Sequence, residues 1–191
     1  PQTDVGIAQG STGNLHFEAN WTVNGYKILY TGVEGADVST FPTKHVFGTD
    51  TAIPNPTKTG YGFAGWKVNG SAAARDLTLS GTAYTADIAL EATWTANEFT
   101  ITYSGVEGAD VSTFPTKHVF GTDTAIPNPT KTGYGFAGWK VNGSAAARDL
   151  TLSGTAYTAD IALEATWTAN EFTITYSGVE GADVSTFPTK H

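Results

Sequence analysis

The sequence predicts a β-dominated fold laid out as a tandem array of small units, each with at most one short helix. Three observations carry this. Residues 32–104 and 105–177 are identical at every position, and residues 178–191 begin the same text again. Self-similarity at a fixed period, here 73 residues, marks a repeat architecture. Several short stretches alternate apolar and polar residues, the period of a half-buried strand. The 191 residues hold 22 Gly, 12% aromatic and only 15% charged residues. An average domain has about 25% charged residues, and neither a helical bundle nor a disordered tail has this profile.

Within one copy the elements follow in order. Phe99–Tyr103 alternates and reads as a strand, and Ser104–Gly108 is a glycine-marked turn. Asp110–His118 opens on an Asp start signal, but Pro115 interrupts it, so a short helix or an irregular segment fits. Val119–Ile126 reads as a strand, and Pro127–Asn128–Pro129 as a loop, because each proline bars its predecessor from helix. Gly133–Val141 is a strand with Tyr134 and Phe136 on one face, its glycines pointing to a bulge or a close backbone approach. Asn142–Gly143 is the strongest hairpin-turn signal in the chain. Leu150–Leu152 returns as a strand or opens a loop. The closing strand, Ile161–Trp167, puts apolar residues on one face, as Ile88, Leu90, Ala92 and Trp94 do in the preceding copy.

Only Thr95–Glu98 separates the strand ending at Trp94 from the one starting at Phe99, so the unit boundary is expected there. The units are then 26–96 and 97–169, with 170–191 the start of a further, truncated repeat. Residues 1–25 read as the C-terminal end of a diverged repeat, since Leu15–Trp21 lines up with Ile88–Trp94. The chain reads as a window cut from a longer array. A connection without Gly or Ser should restrict hinge motion more than a Gly/Ser linker would.

A unit this small buries only about 60% of its unfolded surface, and with no Cys it has no disulfide or zinc staple. Large rings must therefore supply the core, each burying roughly 150–250 Å². The predicted structural core is Tyr61, Phe63, Trp66 and Trp94 in one unit, and Tyr134, Phe136, Trp139 and Trp167 in the next.

Composition excludes several functional classes. A net charge of −8 with scattered Lys and Arg argues against nucleic acid and anionic membrane surfaces. No 18-residue apolar run exists, so no membrane insertion is expected in this segment, and no signal peptide is visible. Each unit carries one His in Thr-Lys-His-Val-Phe, His45 and His118, with no second ligand nearby, and it reads as a surface or strand-edge residue. Glu107, Asp110, Asp123, Asp149, Asp160, Glu164 and Glu171 are spread singly, leaving neither a calcium loop nor a carboxylate pair. Gly60, Gly62 and Gly65 fit the dinucleotide spacing Gly-x-Gly-x-x-Gly, but Pro56 lies upstream and a Trp–Lys–Val strand follows. That motif needs a strand before and a helix after, so these are packing glycines. The Asn-x-Ser/Thr triplets at Asn20, Asn69 and Asn142 read as coincidence. No catalytic residue, metal or cofactor is nominated, and the chain is not expected to be an enzyme.

Pro129–Thr130–Lys131–Thr132–Gly133–Tyr134–Gly135–Phe136–Ala137–Gly138–Trp139, followed by Asp160–Ile161–Ala162–Leu163–Glu164–Ala165–Thr166–Trp167, resembles the Listeria–Bacteroides repeat, also called the internalin B repeat. That pattern runs from a Phe/Tyr-rich first strand through Pro-x-x-x-Gly-Tyr-x-Phe-x-Gly-Trp to a closing Leu-x-Ala-x-Trp strand. Here Glu164 stands where the family often has an aromatic residue. The resemblance covers 26–191 and extends to 13–21. It implies a β-grasp-like α+β unit, in a tandem array joined by short linkers, within a secreted or cell-surface bacterial protein. It further implies a non-enzymatic structural repeat, a stiff stalk, spacer or fibre segment, whose partners are the neighbouring repeats of the same chain. The alternative is a multivalent adhesin whose repeats each hold a host or cell-surface glycan or protein weakly, avidity raising the total by about 10²–10⁴. Its candidate ligand contacts are Tyr84 and Tyr157, in the loop-like Ser-Gly-Thr-Ala-Tyr-Thr stretch, with Tyr134 beside them. The incomplete ends could also pair between molecules, 172–176 with 13–21, to give a filament. Such a joined unit lacks the Gly-Tyr-x-Phe-x-Gly-Trp strand, so chain continuation ranks higher.

Overall fold

The structure, a computed structural model, describes residues 6–14, 16–73, 76–145 and 149–191. One unit is built from β1 (Gly25–Thr31), β2 (Lys44–Val46), β3 (Thr51–Ala52), β4 (Tyr61–Val68), β5 (Thr78–Leu79) and β6 (Ile88–Ala96). The next repeats it with β7 (Glu98–Ser104), β8 (Lys117–Val119), β9 (Thr124–Ala125), β10 (Tyr134–Val141), β11 (Thr151–Leu152) and β12 (Ile161–Ala169). Each unit has a four-stranded mixed sheet, ordered β2-β1-β6-β4 and β8-β7-β12-β10. Its central pair is parallel and its outer pairs are antiparallel. Two-stranded ribbons, β3 with β5 and β9 with β11, cover the core beside it.

No helix occurs among the described residues, so each unit is all-β and the expected short helix is corrected. The Asp110 carboxylate accepts from the Ser112 N–H at 2.9 Å, two residues on, and closes a local turn. Asp and Asn favour such turns as readily as helix caps, and Pro115 then denies the helix its next turn. The expected strand Val119–Ile126 is cut in two: a turn with the Thr122 N–H on the Val119 carbonyl (3.1 Å) separates β8 from β9. Asn142 and Gly143 do turn, both with positive φ, but no hairpin follows. Val141 instead pairs with Leu163, and the Asn142 side chain accepts from the Ala162 N–H at 2.9 Å.

The core is aromatic. Trp139 is fully buried, with Tyr103 and Phe136 ring centroids at 5.4 Å and Phe114 at 6.2 Å. Its indole N–H donates to the Pro127 carbonyl at 3.1 Å, so the ring nitrogen is satisfied. Trp66 repeats the arrangement with Tyr30, Phe41 and Phe63. Phe136 and Trp139 are three apart, which in a regular strand puts them on opposite faces. A bulge between Phe136 and Gly138 inserts Ala137 and returns Trp139 to the buried face beside Phe136. Trp94 and Trp167 are half-buried against these clusters and donate to Gly32 and Gly105 at 2.7 Å. Ile88, Leu90, Leu79 and their counterparts Ile161, Leu163 and Leu152 complete each core at no more than 1% exposure.

Candidate functional site

Two features lie outside the cores: the joint between the units and a groove beside it. The joint starts from backbone hydrogen bonds. A single residue, Asn97, separates β6 from β7. Its N–H donates to the Gly60 carbonyl of the first unit, and its carbonyl accepts from the Phe120 N–H of the second, both at 2.9 Å. The connecting residue is thereby held from both sides. The same bonds bring side chains of the two units together. Phe120 sets its ring edge-on to Tyr61, with centroids 5.3 Å apart. Tyr61 Oη lies 3.0 Å from where a Cβ on Gly121 would stand. Gly60 makes the fit: its φ is +77°, and a Cβ there would come within 2.3 Å of the Phe120 ring.

Because the copies are identical in sequence, the joint's effect can be read by comparing equivalent positions. Phe120 is 8% exposed, whereas Phe47, which packs on no other ring among the described residues, is 39% exposed. Tyr61 is half-buried and Tyr134 is 44% exposed. Gly60 is buried and Gly133 exposed.

The predicted core residues therefore divide. Trp66, Trp139, Phe63 and Phe136 are buried at the centre, and Trp94 and Trp167 flank it. Tyr61 and Tyr134 lie outside the buried clusters, because they open β4 and β10 and pair with Ala96 and Ala169 at the ends of β6 and β12. Tyr61 gains its cover from the following repeat. The candidate ligand contacts Tyr84 and Tyr157 are half-buried and packed edge-on against His45 and His118, at 5.7 and 5.8 Å. These histidines are fully buried, which corrects the surface reading. His118 Nδ1 bonds Thr124 Oγ1 at 2.8 Å, and Nε2 has no partner. Strand β8 alternates, Lys117 and Val119 outward and His118 inward, and three residues are too few to show that phase in a sequence.

The groove recurs in both units. In the first it is lined by Gly35, Asp37, Asn55, Thr57, Lys58 and Tyr61, with a volume of about 630 Å³; in the second it measures about 620 Å³. The Ser39 backbone N–H, and then its hydroxyl, hold the Asp37 carboxyl below the usual carboxylate range, and Asp110 is held likewise by Ser112. Asn55 Nδ2 donates to Asp76 at 2.7 Å. Across the core, burial pushes the Tyr30 and Tyr103 phenols up to about 12, and each donates to a proline carbonyl at 2.7 Å. No group of three or more His, Cys, Asp or Glu able to hold a metal occurs among the described residues. No helix long and apolar enough to cross a membrane occurs among the described residues, which says nothing of strands that cross as a barrel.

The Listeria-Bacteroides repeat domain matches the chain twice, at residues 26–93 and 99–166. The chain belongs to that family. The two matches fall on the two sheets, with Asn97 between them. The chain is also 26% identical over 176 residues, 90% of its length, to a protein of Evansella cellulosilytica named "Putative Gly-rich membrane protein". It is 26% identical over 168 residues, 87% of its length, to another from the same organism named "Putative membrane protein". The chain spans 19% and 24% of the length of these relatives. No solved structure matches it.

Proposed function

We propose that this segment is a non-enzymatic stalk or spacer, in which each repeat is held against the next through a stiff joint. The observation that carries this is the locked Asn97 with the Tyr61–Phe120 contact above it. A flexible connection would leave its backbone groups to water. This one satisfies both within a single residue and adds an edge-to-face ring pair, worth about 0.5–1.5 kcal/mol beyond area burial. Identity between copies suits the role, because a spacer is set by length and tolerates change in copy number. Stability then sums unit and interface terms, as in other repeat proteins.

The strand order, with a central parallel pair between antiparallel edges, supports reading each unit as β-grasp-like with its helix missing. The names of the Evansella relatives support a place in the cell envelope, with the stalk on the outer surface. Small-angle scattering tests the proposal: the maximum dimension should grow by about 30–35 Å, one unit diameter, for each repeat added. Growth of less than half that per repeat would mean that units fold back on one another, and the spacer reading would fail.

A further inference from the structure

The groove in each repeat contains a lysine that forms no ion pair, beside an aspartate, Asp37 or Asp110. Lys67, Lys117, Lys140 and Lys190 each pair with a glutamate. Lys58 and Lys131, like Lys27 and Lys44, pair with no carboxylate among the described residues, but Lys58 and Lys131 alone of these four sit over aromatic rings in a groove. The Lys58 ammonium is nonetheless held in place. It lies 4.8 Å from the Tyr61 ring centroid and 5.6 Å from that of Trp94, and Lys131 repeats both distances over Tyr134 and Trp167. Its Cε is 3.8 Å from where a Cβ on Gly35 would stand, so the stem fits over a residue without a side chain. Bridges to Ala36 and Tyr61 fix its backbone.

We propose that this groove binds a saccharide bearing a carboxylate, one per repeat, with Lys58 or Lys131 taking the carboxylate. The volume is in the range of ligand sites, about 300–1,000 Å³. The remaining polar groups suit hydroxyls: the Asp37 carboxylate is an acceptor turned by Ser39, Asn55 is held by Asp76, and the Thr57 and Thr59 residues are exposed. Asp37 also selects. A dense polyanion such as a phosphate chain would meet its charge, whereas a sugar acid offers it hydroxyl donors. Ammonium and acceptors are already oriented, so little ordering cost falls on binding. This proposal is independent of the spacer reading, because the groove lies within one repeat and asks nothing of the joint's stiffness.

The test titrates the 191-residue chain with trigalacturonic acid, maltotriose and inorganic phosphate, followed by calorimetry and by tryptophan fluorescence from Trp94 and Trp167. Trigalacturonic acid should bind at two sites, one per repeat, and maltotriose at least tenfold more weakly. Lys58→Gln with Lys131→Gln should weaken the acid by tenfold or more, and Lys58→Arg with Lys131→Arg should retain it. Unchanged circular dichroism shows that the variants are folded. Equal binding of maltotriose would overturn the carboxylate's role. Phosphate binding as tightly as the sugar acid would overturn the saccharide assignment. No binding of the sugar acid, or binding that survives the glutamine pair, would overturn the proposal.

Discussion

Gly60→Ala and Gly133→Ala form a matched pair that isolates the joint. Both glycines have left-handed φ, +77° and +79°, in the same local sequence. An alanine at either costs about 1–2 kcal/mol for that conformation. The surroundings differ: a Cβ on Gly133 has nothing within 4 Å, while one on Gly60 lies 2.3 Å from the Phe120 ring. Carbon atoms pack at roughly 3.5–4.0 Å, so the ring must withdraw by more than 1 Å. Phe120 would move from 8% exposure toward the 39% of Phe47. That exposes about 60 Å² of a ring of roughly 200 Å², worth about 1.5 kcal/mol at ~25 cal/mol/Å², and the edge-to-face pair adds about 0.5–1.5 kcal/mol. Gly60→Ala should therefore cost about 2–3 kcal/mol more than Gly133→Ala, read from urea midpoints of the two variants side by side. Equal shifts would refute the reasoning, because the contact across the joint would then contribute nothing.

Two further outcomes follow from the core. Trp139→Ala removes a fully buried ring that touches three others, and should cost about 3–5 kcal/mol, unfolding the second repeat while the first remains. Circular dichroism should then retain about half the strand signal expected of a 1-D array. In alkali, Tyr30 and Tyr103 with folded-state values of about 12 bind protons that the unfolded chain, near 10, has released. Their contribution is present below pH ~10 and lost as pH rises toward 12, so the phenolate signal lost in Tyr30→Phe with Tyr103→Phe should coincide with unfolding in that window, and a missing signal near pH ~10 without unfolding would contradict it.

The sequence is informative where one unit decides the outcome by itself. Trp139 and Phe136 read as core because a small unit without Cys must build its core from large rings, and the bulge foreseen from the strand's glycines is what unites them. Asp110–His118 stays open between a short helix and an irregular segment in the sequence because Asp110 signals both a cap and a local turn, and only the Ser112 contact separates them. Tyr134 was misplaced for a different reason. Tyr61 and Tyr134 sit in identical text, yet one is covered and the other is 44% exposed. A difference made by the neighbouring repeat cannot be written in either copy. His118 escaped for want of length, since a three-residue strand shows no phase. The unpaired Lys58 escaped because pairing is a property of space that no neighbouring residue in the sequence reveals.

The central claim is that neighbouring repeats are held rigidly through Asn97. The chain contains no Cys, so Thr85→Cys and Thr158→Cys place one exposed label site in each repeat. Electron spin distance measurement between labels there should give a single narrow distribution, and Gly60→Ala should broaden it. A broad distribution in the unaltered joint, unchanged by Gly60→Ala, would contradict the account.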